Sequence, residues 1–372
     1  MSDGSINILI VDGLGVGASH DSKLYGDSGA NTIRLLTGRN FPELGNELST
    51  ADVDRENFSY FSLSPDKKGK GTTTGHWNLF GLSSSKELVP MVGKWPDGLL
   101  EIVRNACGYT PLHCGFHDNG TSLVRELGDV ASQKSKIIAY SSSDAIIQLA
   151  ANEEKLSLDD LRNAARKLSE SNLTKFGLGR VITRPFKQVG GSFQRTKNRM
   201  DFHATPEFSG EFFRSYANYI TPVLFGKAIE IFGWCKSAHR VGSPLEEDCI
   251  EKMINHVSQK PVVRICNYRW IDDLLHLGDL DGARNCFGHI YEKLWDFMKL
   301  ANGDDVYFVV ADHGCDITIN INENTREKVP LLVFGGSKSL HEKASKISKM
   351  SEFVSLVRLA LDEKQHLVAT NS

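Results

Sequence analysis

The stretch "ILIVDGLGVGAS" (residues 8–19) fits two folds with different chemistry. Its apolar run ends at Asp12, and the small residues that follow form a Gly-x-Gly-x-x-Ala pattern, which is typical of dinucleotide-binding turns. Such a turn needs a helix with an apolar face to begin at once, but a polar segment broken by glycines follows here (residues 19–32). We therefore interpret the stretch as a buried strand that carries Asp12, a candidate metal ligand, into a loop.

Three further apolar runs resemble the first and predict buried strands of a parallel sheet. They are "PVVRIC" (261–266), "VYFVVA" (306–311) and "PLLVFG" (330–335). Parallel strands share the edge at which their carboxyl ends lie, and open α/β folds bind ligands at that edge. Asp12 and Asp312 each follow such a run, so we expect them to meet there although they are far apart in sequence.

A middle stretch of the chain is predicted to contain strands and a helix of its own. Two strand-like runs and one helix-like run are found there: "KIIAY" (136–140), "RVITRPF" (180–186) and "LDDLRNAARKLSES" (158–171). Because strands of the core type occur before and after this stretch, we expect a second domain inserted into the first. The predicted organisation is a core of residues 1–89 and 207–372, with a substrate-binding cap of residues 90–206.

Composition limits the partners of the chain. Its 43 basic and 46 acidic residues nearly cancel, and no block of like charges suggests binding to nucleic acid or to an anionic membrane. Seven cysteines without a C-x-x-C pair fit reduced thiols, and no apolar run reaches the roughly 18 residues needed to span a bilayer. We expect a cytoplasmic protein that acts on a small molecule.

Two Asp-His units supply candidate ligands for divalent ions. Asp312 and His313 are adjacent in "VADHGCD" (310–316), where the following glycine permits a turn. Asp272 and His276 are four residues apart in "WIDDLLHLGDLDG" (270–282), on one face of a predicted helical turn. Carboxylate oxygens and imidazole nitrogens bind divalent ions, so these pairs and the aspartate at the first strand end predict a two-ion site.

A nucleophile for such a site is offered by the glycine-flanked threonines of "KGKGTTTGHWNLFG" (residues 68–81). A threonine hydroxyl is a weak nucleophile near neutral pH, but coordination to a divalent ion favours its alkoxide. Two ions roughly 3.5–4 Å apart can hold both the attacking oxygen and the phosphoryl oxygens. The residues alone therefore favour metal-assisted phosphoryl chemistry.

In combination and order, these motifs resemble the phosphopentomutases of the alkaline phosphatase superfamily. The similarity covers most of the chain and includes "VDGLGVG" (11–17), "GDSGANTI" (26–33), "TTTGHW" (72–77), "YSSSDAIIQLAANEE" (140–154), "GRVITRPF" (179–186), "FQRTKNRMDF" (193–202), "DDLLH" (272–276), "ADHG" (311–314) and "TREKVPLL" (325–332). The resemblance implies an α/β fold: an alkaline-phosphatase-like core, with a mostly parallel sheet and helices on both faces, plus an inserted α/β cap domain.

Roles of individual residues follow from the resemblance. It implies that Thr72 carries the phosphoryl group and contacts the metal ions. It further implies two Mn²⁺ ions, one held by Asp12, Asp312 and His313 and the other by Asp272, His276 and Asn324. In the cap, Ser142 and Asp144 would face the pentose, and Arg180 and Arg195 would bind its distal phosphate through paired hydrogen bonds. A sugar 1,5-bisphosphate would serve as activator.

The chain departs from the family pattern near the second ion. Asn324 stands where phosphopentomutases have a histidine, and the spacing from Asp272 to His276 is one residue shorter than in the family. Gly71 stands where the family has an aspartate before the nucleophile, and Asn152 replaces a cap histidine. A neutral amide is a poorer ligand than imidazole, so we expect a weakened second metal site.

Three functions remain open at this point. The first is a mutase that interconverts ribose 1-phosphate and ribose 5-phosphate, or their 2-deoxy forms, through a phosphothreonine. The second is a phosphohydrolase or phosphotransferase acting on another phosphate ester, and the third is a catalytically weak protein that binds a sugar phosphate. Cofactor-independent phosphoglycerate mutases share the nucleophile spacing but use serine, and the cap motifs favour a pentose.

Overall fold

The computed structural model describes residues 4–49, 57–142, 145–208, 222–258, 262–301, 305–319 and 323–370. The chain forms two compact units. The first unit comprises Met1–Leu82, Ser209–Ile229 and Cys235–Ser372, and the second comprises Ser83–Phe208 and Glu230–Trp234.

The described residues contain both strands and helices. The strands are β1 (Ile6–Val11), β2 (Phe58–Leu63), β3 (Ile138–Ser142), β4 (Ile146–Asn152), β5 (Arg180–Val189), β6 (Ser192–Arg195), β7 (Met200–His203), β8 (Val223–Gly226), β9 (His239–Val241), β10 (Val263–Tyr268), β11 (Val306–Val310) and β12 (Val329–Phe334). The α-helices are Thr32–Thr37, Phe41–Ser49, Thr72–Leu79, Asp97–Cys107, Gly120–Lys134, Leu158–Glu170, Ala228–Ile231, Cys249–Ile254, Trp270–His276, Leu280–Leu300, Lys338–Ala344 and Phe353–Thr370.

The first unit is built on a sheet with the strand order β2-β12-β11-β1-β10-β8-β9. The five strands from β11 to β9 in this order are parallel to one another. Every residue of β1, β10, β11 and β12 is buried, which explains why these strands are nearly continuous apolar runs. The predicted α/β class with a mostly parallel sheet is confirmed.

One strand direction was predicted wrongly. We expected the run at residues 330–335 to be parallel, but β12 is antiparallel to β11, and β2 is antiparallel to β12. The chain returns beside β11 after it ends, and the described residues between the two strands form no crossover helix. Burial on both faces gives an apolar run in either direction, so composition could not distinguish the two arrangements.

The second unit has its own sheet, ordered β3-β4-β5-β6 with β7 paired to β5. Alternate residues of β3 and β4 enter different cores, as their side-chain alternation requires. Ala139 and Leu149 pack with helices Asp97–Cys107 and Leu158–Glu170. Tyr140 and Ala150 pack with helix Gly120–Lys134 on the other face. The inserted unit is therefore an α/β layer structure with helices on both faces.

The ends of this unit's main segment are joined to each other. Ser83 N–H donates to the Phe208 carbonyl at 3.1 Å, and Phe208 N–H donates to the Ser83 carbonyl at 3.0 Å. The insertion predicted from the sequence spans residues 90–206, whereas the main segment of the compact unit begins at Ser83 and ends at Phe208.

All seven cysteines have free thiols. Within the described ranges, no helix combines the length and the apolar character that crossing a bilayer requires.

Candidate metal centre and nucleophile

The first candidate metal cluster lies at the carboxyl edge of the parallel strands. Asp12 directly follows β1, and Asp312 follows β11 after one further residue. The two strands are paired in register, so both carboxylates reach the same place. His313 Nε2 lies 3.2 Å from Asp12 Oδ1 and 3.2 Å from Asp312 Oδ2. All three side chains are buried, and their ligand atoms lie within 4.8 Å of one another.

The second candidate cluster is formed by helix Trp270–His276. Asp272 and His276 lie on one face of it, with His276 Nε2 3.4 Å from Asp272 Oδ1. Asn324 Oδ1 lies 2.8 Å from His276 Nε2, and Asn324 Nδ2 lies 3.2 Å from His313 Nε2. Asn324 therefore lies between the two histidines. Cys315, which sequence analysis did not single out, joins this cluster with its ligand atom within 4.8 Å of the other two.

Thr72 is the first residue of helix Thr72–Leu79. Gly71 precedes it in an extended conformation and offers no side-chain cap. The Thr72 hydroxyl lies 3.2 Å from His313 Nε2 and is buried. The structure thus brings all seven predicted core residues together: Asp12, Thr72, Asp272, His276, Asp312, His313 and Asn324.

The polar atoms around His313 fit a bound cation. Four of them, from Asp12, Asp312, Thr72 and Asn324, lie 3.2 Å from its Nε2, although one ring nitrogen can make only one hydrogen bond. Among the described residues, one buried oxygen of each of Asp12, Asp272 and Asp312 makes no hydrogen bond of good geometry. Convergent carboxylate and imidazole groups with unused lone pairs match the donors that divalent ions prefer.

The electrostatics of the site also favour bound positive charge. Burial opposes ionisation of Asp12, but Lys227 and then His313 outweigh it and hold the Asp12 pKa well below its usual range. Burial would lower the pKa of His313, yet Asp312 and Asp12 raise it to about 10. Burial and the charge of Asp12 raise the pKa of Asp272. The repulsion between the Asp12 and Asp272 carboxylates means that negative charge accumulates in the site, and divalent ions would compensate it.

Three residues that sequence analysis missed support the first cluster. Lys227 directly follows β8, and its buried Nζ donates to Asp12 Oδ2 at 2.6 Å. His76 Nδ1 lies 3.4 Å from Asp312 Oδ2 and 2.9 Å from the Thr72 carbonyl, while Asn267 Nδ2 lies 3.1 Å from His76 Nε2. Lys227, like Asp12, is a polar residue that directly follows a strand. That strand, β8, has only four residues, so it did not stand out in the sequence as an apolar run.

Glu327 accepts hydrogen bonds from several of the loops that carry the candidate ligands. Its buried carboxylate accepts hydrogen bonds from Thr32 N–H and Thr32 Oγ1, from Thr325 Oγ1 and from Gly17 N–H, at 2.7–3.1 Å. A Cβ at Gly314 would lie 2.3 Å from Glu327 Oε1, so the backbone beside His313 approaches this carboxylate closely. Glu327 thereby connects the segments after β1 and β11 with the segment before β12.

The cap residues predicted to bind substrate lie in the second unit. Arg180 is buried, and its Nη1 lies 3.1 Å from Asp201 Oδ2. Arg195 is exposed and donates from Nη2 to the Tyr140 hydroxyl at 3.1 Å. Ser142 Oγ accepts a hydrogen bond from Gln148 Nε2. Asp144 lies outside the described residues.

Arg184 is a further cationic residue of the cap that sequence analysis did not select. Its Nε donates to Gln148 Oε1 at 2.8 Å, and Gln148 Oε1 also accepts from the Tyr140 hydroxyl, to which Arg195 donates. Burial, and then the charges of Arg199 and Arg195, lower the pKa of Arg184 to about 9. Mutually repelling guanidinium groups of this kind form a favourable environment for an anion.

The buried carboxylate of Asp201 predicts that the stability of the cap depends on pH. Burial would raise its pKa, but Arg199 and Arg180 hold the pKa well below its usual range. A depressed carboxylate pKa contributes stability above the unfolded pKa, about 3.9, and loses it as the pH falls further. We expect Asp201→Asn to destabilise the protein by about 3 kcal/mol at pH 7. Urea unfolding should show this difference unchanged down to about pH 4 and shrinking below it.

The exposed Asp159, at the start of helix Leu158–Glu170, provides the matched control for this measurement. Asp159→Asn should alter the unfolding free energy by less than about 1 kcal/mol. A difference between Asp201→Asn and the wild type that does not shrink at low pH would contradict the role of the ionised carboxylate.

The chain is similar to known proteins along most of its length. Residues 4–355 match the family model described as the metalloenzyme superfamily. A phosphopentomutase of Carboxydothermus hydrogenoformans is 30% identical over 359 residues, covering 89% of this chain and 88% of its own length. One of Clostridium novyi is 29% identical over 349 residues, covering 90% and 88%. An alkaline phosphatase structure from the Antarctic bacterium TAB5 aligns with 96% of this chain and 98% of its own, at 12% identity and a TM-score of 0.37.

Proposed function

Because the chain belongs to the metalloenzyme superfamily and to the phosphopentomutase family, we propose that it interconverts ribose 1-phosphate and ribose 5-phosphate, or their 2-deoxy forms, through a phosphothreonine at Thr72. Membership in that family makes the chain an enzyme with phosphopentomutase-like activity. The observation that carries the finer proposal is the buried Thr72 hydroxyl, 3.2 Å from His313 Nε2 and beside the Asp12–Asp312 cluster.

The residues around Thr72 suit phosphoryl transfer. Thr72 begins a helix, and the N–H groups at the start of a helix attract phosphate oxygens. The buried ammonium of Lys227 adds positive charge beside Asp12. Divalent ions held by the two clusters, with Mn²⁺ at the Asp12–Asp312–His313 cluster, would favour the threonine alkoxide and offset the phosphoryl charge. Positioning and charge neutralisation are the main contributions that phosphoryl transfer asks of a protein.

The proposed reaction is a relay. Phosphothreonine 72 donates its phosphoryl group to the free hydroxyl of a pentose monophosphate, so the bond to Thr72 Oγ1 breaks and a sugar 1,5-bisphosphate forms. The bisphosphate then returns its other phosphoryl group to Thr72, which leaves the isomeric monophosphate and restores the enzyme. A trace of sugar 1,5-bisphosphate would prime Thr72 by the same second step.

In the cap, we assign the distal phosphate of the sugar to Arg195, as the sequence suggested, and add Arg184. Both guanidinium groups contact the Tyr140–Gln148 pair, and Arg195 is exposed to an incoming anion. Arg180 is paired with Asp201, so we expect its loss to affect the stability of the cap in addition to binding.

We expect Arg195→Ala to raise KM for the pentose phosphate by about tenfold or more, because a charge-assisted hydrogen bond to phosphate is lost, with little change in kcat. Since Arg195 is exposed, the unfolding free energy should stay the same. Steady-state kinetics and urea unfolding measure the two quantities. Arg104→Ala, in a helix on the opposite face of the cap sheet, is the control. An unchanged KM in Arg195→Ala would remove this residue from the phosphate site.

The function itself is tested by incubating the protein with Mn²⁺, ribose 1-phosphate and a trace of a sugar 1,5-bisphosphate, and following the phosphorus species by ³¹P NMR. We expect ribose 5-phosphate to grow without free phosphate. Growth of free phosphate alone would overturn the mutase proposal in favour of a phosphohydrolase, and a spectrum without change would overturn it in favour of another ester or a binding role.

A further inference from the structure

The second metal cluster contains a thiol that belongs to none of the predicted ligand sets. The Sγ atom of Cys315 lies within 4.8 Å of the ligand atoms of Asp272 and His276, and the residue is fully buried. Among the described residues, the other six cysteines take part in no such group of candidate ligands. A thiol facing a carboxylate and an imidazole is a different donor set from the oxygens and nitrogens that suit Mn²⁺.

The backbone fixes Cys315 in this position. Its N–H donates to Thr32 Oγ1 at 2.8 Å, and Thr32 is in turn bound to Glu327. On either side of Cys315, Gly314 exchanges two hydrogen bonds with Thr325 at 2.8 and 3.2 Å, and Asp316 N–H donates to Thr325 Oγ1 at 3.0 Å. The position of this side chain is therefore set by the same contacts that hold His313 and Asn324.

The second cluster also has room in its ligand set for an anionic donor. Asn324, which replaces the family's histidine, contributes only a neutral amide, and that amide contacts both His276 and His313. Asp272 Oδ1 is buried and makes no hydrogen bond of good geometry among the described residues. A thiolate would supply a charged donor where the family's imidazole is missing.

We propose that Asp272, His276 and Cys315 form the second metal site of this chain and that the site selects Zn²⁺ over Mn²⁺. On binding, the thiol proton leaves to solvent and the Sγ lone pair bonds to the ion. Zn²⁺ accepts carboxylate oxygen, imidazole nitrogen and thiolate sulfur together, and three protein ligands leave its fourth position open to substrate. The Asp12–Asp312–His313 cluster lacks sulfur, so it gains no such added selectivity for Zn²⁺ over Mn²⁺.

This proposal rests on the metal dependence included in the proposed function, but its readout is metal binding and does not need turnover of a pentose phosphate. The metal-stripped full-length protein is titrated with Co²⁺, which occupies zinc sites and reports thiolate ligation through a sulfur-to-metal charge-transfer band in the near ultraviolet. We expect the wild type to show this band and to lose it when one equivalent of Zn²⁺ is added. A wild-type titration without the band overturns the proposal whatever the mutase assay gives.

Variants locate the thiolate and test selectivity. Cys315→Ser should abolish the band and weaken Zn²⁺ binding by about tenfold or more, while Mn²⁺ binding at the first site stays within about twofold. Cys249→Ser removes another buried thiol, outside the cluster, and should keep both the band and the Zn²⁺ affinity. A band that persists in Cys315→Ser, or equal affinity of the second site for Mn²⁺ and Zn²⁺ in the wild type, would overturn the assignment.

Discussion

Thr72→Ala is expected to lower kcat for pentose phosphate isomerisation by at least about 10⁴-fold, because the hydroxyl that carries the phosphoryl group is gone. The Thr72 side chain is buried beside His313. The side chain of Thr74, two residues later, is more exposed. Neither the carboxylates nor the histidines of the two clusters are altered by this change, so Mn²⁺ binding should be largely retained. Kinetics with ribose 1-phosphate and calorimetric Mn²⁺ titration measure the two effects separately.

Two controls accompany the Thr72 variant. Thr72→Ser keeps a hydroxyl at the same position and should retain partial activity and a phosphorylated protein by intact-mass analysis. Thr74→Ala removes a neighbouring hydroxyl and should leave phosphorylation at position 72 in place. Full activity of Thr72→Ala, or phosphorylation that persists in it, would exclude Thr72 as the nucleophile.

Gly75→Ala should be nearly as damaging, although it removes no functional group. A Cβ at Gly75 would lie 2.2 Å from the Asp312 carbonyl oxygen and 2.8 Å from Asp312 Cβ, far inside contact distance. The backbone at Asp312 lies at the end of a buried strand, so helix Thr72–Leu79 must move away. We expect Thr72 to be displaced from the metal cluster, and kcat/KM to fall by about 100-fold or more, since misplacement by about 1 Å has such an effect.

Gly288 is the matched control for this substitution. It lies inside helix Leu280–Leu300 of the same unit, and a Cβ there would meet no atom within 4 Å. Gly288→Ala should therefore stabilise the protein by up to about 1 kcal/mol through helix propensity and leave activity unchanged. Wild-type kinetics in Gly75→Ala would show that the helix tolerates the displacement.

Much of the candidate site could be predicted from sequence because its candidate ligands lie at strand ends or on one helical turn. The register between β1 and β11 converts two such ends, Asp12 and Asp312, into neighbours. The i, i+4 spacing of Asp272 and His276 needs only one turn of helix, which the structure contains. Both relations are local or follow from parallel pairing, so they leave a pattern in the sequence.

Other parts of the site left no such pattern. Lys227 follows a strand of four residues, too short to stand out as a buried run, and only the sheet order places that strand beside β10. Cys315 looks like any buried thiol until helix Trp270–His276 packs against it. The direction of β12 was missed because burial on both faces, which made the run visible, is independent of direction.

The reciprocal hydrogen bonds between Ser83 and Phe208 affect how such a protein can evolve. Because the two ends of the inserted segment are hydrogen-bonded to each other, the segment can change in length or be exchanged as one piece. The strands on either side of it would keep their pairing. Recombination at these two positions would exchange most of the second unit and leave the candidate metal ligands, all of which lie outside the exchanged segment, unchanged.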